Sequence, residues 1–164
     1  MSKTREMIMY GLIPSDLPSL TEPNGPGTSK GGKLSANGMH AGHQILKYAT
    51  HKDVKDYIKF GMAQGADFFN TAITLNGTSR QIDMIIDLAT RLGYVADKVT
   101  DPSYPYFIDR EFAPFLNDDQ TVIWEVVKDN KVLVERKQTT FGWLLGDEDD
   151  PVFRGIVGAM KLAE

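Results

Sequence analysis

The fold class is decided by residues 79–100, which read SRQIDMIIDLATRLGYVADKVT. Apolar residues recur here every three or four positions, which is the period of a helix with one buried face. The predicted apolar stripe is Ile82, Ile85, Ile86, Ala89 and Leu92. Gly93 is a common residue just past a helix end, and the alternating segment 94–100 follows it. We therefore predict a helix that leads into a strand ending at Asp101-Pro102.

The rest of the chain continues this alternation of helices and strands in both directions. The further predicted strands are residues 7–13, 68–75, 121–127, 132–137 and 139–145. The further predicted helices are residues 34–49 and 51–64 and a last helix near the C-terminus. Asp150 is expected to cap this last helix and Pro151 to begin it, with Val152, Ile156, Val157 and Met160 facing inward. Residues 128–131 have the composition of a hairpin turn. Such alternation predicts one α/β domain over residues 1–164, with a mostly parallel, mixed sheet covered by helices on both faces.

Composition excludes several function classes. The chain has 164 residues and no cysteine, which rules out disulfides and thiolate chemistry. It contains no run of about 18 apolar residues, and its first residues lack a signal-peptide pattern, so we expect a cytoplasmic protein that does not enter a membrane. A net charge of −4 argues against nonspecific coating of nucleic acid, although lysines cluster within residues 30–59.

The residues best suited to binding or catalysis follow a long Pro- and Gly-rich loop, residues 15–32. One face of the next predicted helix carries Lys33, Asn37, His40 and Gln44. Small residues between them, such as Gly38 and Gly42, are expected on the opposite, packed face. Asp101 should reach the same sheet edge as Lys33, where open α/β sheets bind ligands. A solvated helix face and a simple turn-forming aspartate are the alternatives.

Two other chemistries have incomplete patterns. Residues 27–33 match G-x-x-x-x-G-K, but Leu34 stands where a magnesium-binding hydroxyl is required, which disfavours a nucleotide-binding enzyme. His40, His43 and His51 could hold zinc, yet no carboxylate shares their face at ligand spacing. We therefore expect neither a metal nor a cofactor.

Residues 32–41, GKLSANGMHA, resemble the G-K-x-A-A-Q-C-x-H-A motif of the second type of peptidyl-tRNA hydrolase, the archaeal and eukaryotic kind. The similarity continues in order through residues 69–75, 79–93, 98–103 and 141–146, and it leaves out residues 104–138 and the long first loop. It implies a three-layer α/β/α sandwich around a four-stranded mixed sheet, usually dimeric. The implied activity is hydrolysis of the ester that joins a peptide to the 3′ end of tRNA.

The resemblance also implies the site. The residues expected to be catalytic are Lys33, His40, Asp101 and Thr140, and those expected to bind substrate are Lys30, Gly32, Asn37, Gln44 and Thr139. Lys33 would stabilise negative charge or hold the tRNA end, and Asp101 or His40 would position the water. Which of Thr139 and Thr140 matches the family threonine is ambiguous by one position.

The chain departs from the family pattern at three positions. Asn37, Gly38 and Pro105 replace a glutamine, a cysteine and a threonine. An alternative function is therefore a non-catalytic member of the fold that binds tRNA or a protein. The hairpin of residues 121–137, within the insertion at 104–138, is the segment expected to bind a protein partner.

Overall fold

The computed structural model of the chain describes residues 5–18, 26–27, 32–63 and 71–162. Its strands are β1 (Met7–Pro14), β2 (Leu17–Pro18), β3 (Pro26–Gly27), β4 (Thr71–Gly77), β5 (Val95–Asp109), β6 (Gln120–Lys128), β7 (Lys131–Asp147) and β8 (Lys161–Leu162). Its α-helices are α1 (Gly32–Gln44), α2 (Lys52–Ala63), α3 (Ser79–Arg91) and α4 (Pro151–Ile156), with 3-10 turns at Ile45–Tyr48 and Arg110–Phe115. Residue 64 of the predicted helix 51–64, residues 68–70 of the predicted strand 68–75, and most of the predicted loop 15–32 lie outside the described residues.

The predicted α/β class is confirmed, and the sheet is mixed. Its order is β5-β7-β1-β4-β8, with β6 paired to β7, which makes six strands rather than the four that the resemblance implies. The expectation of mostly parallel pairing is wrong, because β1 and β4 pair in parallel and the other neighbours are antiparallel. The cause is β7, which joins two predicted strands into one and runs from the hairpin turn back between β5 and β1.

Helices cover both faces of this sheet, as predicted. On one face, α3 and α4 pack on β1 side chains that include Ile8, Tyr10 and Leu12. On the other face, α1 and α2 pack on Met7 and Ile13. Successive side chains of a strand point to opposite faces, so a single strand supplies both cores. The strands β5, β7, β1 and β4 are therefore the middle layer of a three-layer arrangement.

The helix α3 begins and ends largely as its sequence predicts. Thr78 caps it, and Gln81 completes a reciprocal capping box, while Gly93 has a φ of +86° that favours glycine. Of the predicted stripe, Ile82, Ile86 and Ala89 are buried. Leu92 is half exposed, because it lies beyond the last turn that faces the sheet.

The last helix, α4, is also capped as predicted. The Asp150 side chain accepts hydrogen bonds from the backbone N–H groups of Val152 and Phe153. The predicted inward set was partly wrong, because Val152 is 54% exposed and Phe153 is fully buried. The Phe153 ring lies directly over Gly146 of β7, which leaves no room there for a side chain.

The strand β5 does not end at Asp101-Pro102 as predicted. It continues to Asp109 through two β-bulges, and Pro102 lies in the second of these, where regular ladder bonding is interrupted. Beyond Pro102, β5, β6, the outer half of β7 and the 3-10 turn Arg110–Phe115 form an arm, residues 104–137. The predicted hairpin turn is confirmed, since Asp129 and Asn130 have φ values of 56° and 58°.

The arm and Leu17 of β2 form a small separate core. Its buried side chains are Leu17, Tyr104, Tyr106, Val132 and Val134. Among the described residues, no helix combines the length and the apolar content that crossing a membrane requires.

Candidate active site

A cleft of about 620 Å³ opens between helix α1 and strands β5 and β7. Its lining residues are Ala36, Asn37, His40, His43, Gln44, Lys47, Val99, Thr100, Asp101, Pro102, Tyr104 and Thr140. Five residues that sequence reasoning selected therefore meet here. Three come from α1, one from β5 and one from β7, so segments that are far apart in sequence form one site.

The predicted polar face of α1 is the wall of this cleft. Asn37, His40 and Gln44 all line it, as their spacing of three and four residues requires. The predicted packing face of small residues is only partly correct. Ala41 is buried, but Gly38 and Gly42 are exposed, and a Cβ added at either glycine would meet no atom within 4 Å.

Thr140 is held at the floor of the cleft by Asn37. The Thr140 Oγ1 atom donates to Asn37 Oδ1 at 3.1 Å, and Asn37 Nδ2 donates to the Thr140 carbonyl oxygen at 3.3 Å. Both residues are buried. The Val99 carbonyl oxygen, at 3.4 Å, is a second acceptor for the same hydroxyl. Because the single hydroxyl hydrogen of Thr140 is used within the protein, Thr140 can offer a substrate only acceptor capacity. Asn37 retains one amide hydrogen, which can donate into the cleft.

Gln44 lines the cleft, but its carboxamide is bound on both sides by the protein. Its Oε1 accepts from the indole N–H of Trp143 at 2.9 Å, and its Nε2 donates to the Lys98 carbonyl oxygen at 2.8 Å. Trp143 is fully buried, so this acceptor satisfies a donor that water cannot reach. The contacts give Gln44 a structural role next to the predicted binding role.

Asp101 lies at the start of the second bulge of β5. Its Oδ1 accepts from the backbone N–H of Ser103 at 2.9 Å, which orients the carboxylate beside Pro102. Tyr104 lines the cleft next to it. Burial raises the pKa of the Tyr104 phenol, the negative charge of Asp101 raises that pKa further, and Arg136 opposes the shift. Tyr104 is therefore a neutral hydroxyl at physiological pH.

The predicted residues at the start of α1 are described only in part. Gly32 and Lys33 form the beginning of α1, and Lys33 precedes Asn37 by four residues, which is about one helical turn. The side chain of Lys33 and the whole of Lys30 lie outside the described residues.

Thr139 does not line the cleft. Its hydroxyl donates to Asp83 Oδ1 at 3.1 Å, and Asp83 belongs to α3, on the opposite face of the sheet. The reason is a β-bulge between the pairs Val99–Phe141 and Thr100–Thr139, which makes Thr140 the extra residue. The bulge turns Thr139 toward α3 and Thr140 toward α1.

Sequence reasoning missed the cleft residues Lys47 and Tyr104. Lys47 follows His40 by seven residues, so the spacing that selected the rest of the face would have included it. Its Nζ lies 3.7 Å from Asp97 Oδ2, which partly balances its charge. Tyr104 carried no signal, because it lies beyond the predicted end of β5.

The described residues define an α/β protein with a cleft at one side of its sheet, and several polar side chains line that cleft. The cleft combines an imidazole, a carboxylate, a hydroxyl and a carboxamide, which are groups that can position a water and bind a carbonyl oxygen. Within the described ranges, no three histidine, aspartate or glutamate side chains come close enough to hold a metal ion. No protein-family model matches the chain, and no curated protein matches it.

Proposed function

We propose that this chain is a cytoplasmic hydrolase that cleaves the ester bond of peptidyl-tRNA, an N-acyl-aminoacyl-tRNA, and releases free tRNA and peptide. The observation that carries the proposal is the meeting of His40, Asp101 and Thr140 in one open cleft. The resemblance of residues 32–41 to the second type of peptidyl-tRNA hydrolase supports it. The three-layer arrangement around β5, β7, β1 and β4 agrees with the fold which that resemblance implies.

The proposed reaction is attack of water on the ester carbonyl, in which the water oxygen bonds to the carbonyl carbon and the bond from that carbon to the 3′ oxygen of tRNA breaks. The proton that the water gives up to Asp101 or His40 passes to the leaving 3′ oxygen. Asp101 and His40 line the cleft and hold the water by accepting its hydrogen bonds. Lys33, at the start of α1, stabilises the negative charge that develops on the carbonyl oxygen. Asn37 donates its remaining amide hydrogen to the peptidyl group, in an orientation that Thr140 fixes.

The size of the cleft fits the reacting end of the substrate. Ligand sites usually enclose roughly 300–1,000 Å³, and about 620 Å³ suffices for a terminal nucleoside with its aminoacyl group but not for the body of a tRNA. Because the net charge is −4, contact with phosphates depends on local cations. Lys47, which lines the cleft beside His40, is a described candidate.

The direct test is release of labelled N-acyl-amino acid from tRNA by the purified chain. The variants are Lys33→Ala, His40→Asn and Asp101→Asn, and the matched control is Lys55→Ala, which removes an exposed cation from α2 outside the cleft. Loss of a positioned charge or of a group that activates water costs on the order of 10²–10³ in kcat. The control should keep the rate of the unmodified chain.

Comparison of the variants also assigns the group that activates the water. The larger fall in kcat between Asp101→Asn and His40→Asn identifies that group, because each change removes the ionisable group and leaves a polar carboxamide in its place. An unmodified chain that releases no more label than Lys33→Ala would contradict the hydrolase proposal.

The exposed surface of the arm favours a second candidate, a non-catalytic protein that binds tRNA or a protein partner. Phe115 is 79% exposed, and Phe112, Val122 and Ile123 are also exposed near the hairpin of residues 121–137. Exposed apolar side chains in a group are typical of interaction surfaces, including those of homodimers. Light scattering of the unmodified chain and of Phe115→Ser tests self-association, and tight tRNA binding without turnover would favour this candidate.

A further inference from the structure

The two threonines at the bulge of β7 are held from opposite faces of the sheet. Thr140 is bonded to Asn37 of α1, and Thr139 is bonded to Asp83 of α3 at 3.1 Å. Asp83 Oδ1 also accepts from Lys98 Nζ at 2.7 Å, and Lys98 belongs to β5. One carboxylate oxygen therefore connects α3, β5 and β7 directly behind the cleft floor.

A second contact reinforces this anchor. Gln138, the residue before Thr139, is buried, and its Nε2 lies 3.2 Å from Ser79 Oγ at the start of α3. Two consecutive side chains of β7 thus reach the same helix. The bulge at Thr140 accounts for the direction of Thr139, and Gln138 adds a second contact from β7 to the start of α3.

The alternative to the bulge is a regular ladder. If Thr140 paired with Thr100, then Thr139 would point to the same face as Phe141, which belongs to the core under α1 and α2. Thr139 would then occupy the cleft floor, and Thr140 would turn toward α3. Which threonine contacts Asn37 is therefore decided by which threonine is held behind the sheet.

We infer that Asp83 is a positioning residue: by binding Thr139 on the α3 face, it fixes the bulge that presents Thr140 and Asn37 to the cleft. The described contacts of Asp83 are with Thr139 of β7 and Lys98 of β5, and neither of these residues lines the cleft. The inference rests on the proposed function for its kinetic consequence only. The structural consequence, loss of the Thr140–Asn37 contact, can be measured in a chain of any activity.

The test uses the full chain with Asp83→Ala and Thr139→Val, which remove the two partners of the anchor. Thr139→Ser keeps the hydroxyl and should therefore keep the hydrogen bond to Asp83. The matched control is Asp87→Ala, because Asp87 lies one turn further along α3 and pairs with Arg91 at 2.9 Å within that helix. Selective ¹⁵N labelling of asparagine then reports the Asn37 side-chain amide, which is bonded to the Thr140 carbonyl oxygen.

We expect the Asn37 amide signal to shift and to lose protection from hydrogen exchange in Asp83→Ala and Thr139→Val. It should remain unchanged in Thr139→Ser and Asp87→Ala. In the hydrolysis assay, kcat should fall roughly 10- to 100-fold in the first two variants with little change in KM, because misplacement by about 1 Å has an effect of that size.

The outcomes separate this inference from the proposed function. An unmodified chain without hydrolase activity ends the proposed function, and the Asn37 signal then decides the inference alone. An Asn37 signal that is the same in all four variants would overturn the anchor. A shifted signal with full kcat would overturn the positioning role.

Discussion

Replacement of Gln44 separates a structural role from a binding role at the cleft wall. In Gln44→Leu the indole N–H of Trp143 loses its acceptor, and the Lys98 carbonyl oxygen loses a donor. Trp143 is fully buried, and an unsatisfied buried donor costs about 1–3 kcal/mol. The carbonyl can regain part of its loss from water, so the whole change should lower the free energy of unfolding by about 2–4 kcal/mol.

Urea denaturation followed by tryptophan fluorescence measures this difference. The matched control is His43→Leu, which makes the same cleft wall more apolar at an exposed position of α1. Its free energy of unfolding should stay within about 0.5 kcal/mol of that of the unmodified chain. The reasoning is refuted if Gln44→Leu unfolds at the same urea concentration as the control, and a raised KM in that case would assign Gln44 to substrate binding.

Three further predictions concern packing and charge. Gly146→Ala should cost about 1–3 kcal/mol in urea denaturation, since its Cβ would lie 2.5–2.8 Å from the Phe153 ring. The hydrogen bond from Tyr94 lowers the pKa of Asp150, so the stability that this carboxylate adds at neutral pH is lost as pH falls. The free energy of unfolding of Asp150→Asn should therefore equal that of the unmodified chain only in acid. Burial, with Asp97 and Asp150 nearby, raises the pKa of Tyr48 and Tyr94 to about 12, which absorbance titration at alkaline pH would detect.

Elements with local signals could be predicted from the sequence. The helix α3 has apolar residues at helical spacing and Gly93 past its end, and the turn at Asp129-Asn130 has residues that tolerate positive φ. The pairing of the sheet had no such signal. Alternating helices and strands favour parallel pairing, and only the path of β7 between β5 and β1 shows that most neighbours are antiparallel.

The face of α1 that packs on the sheet was misjudged for a related reason. Glycines were expected to allow close approach, yet Gly38 and Gly42 are exposed, and the polar residue Asn37 is buried. Residue size predicts where a helix can pack, but burial is decided by the partner that the sheet offers. Here Thr140 offers a hydroxyl and a carbonyl oxygen, and these two groups bind the oxygen and one amide hydrogen of the buried carboxamide.

The local sequence does not determine which of two neighbouring threonines lies at the cleft floor. Thr139 and Thr140 are identical neighbours, so neither period nor propensity distinguishes them. The distinction comes from Asp83, 56 residues before Thr139, and from Asn37, 103 residues before Thr140. Each contact stabilises the register that the other requires, because loss of either lets the bulge relax and exchange the two hydroxyls. The arrangement of the site residues on α1 therefore depends on α3, the helix on the opposite face of the sheet.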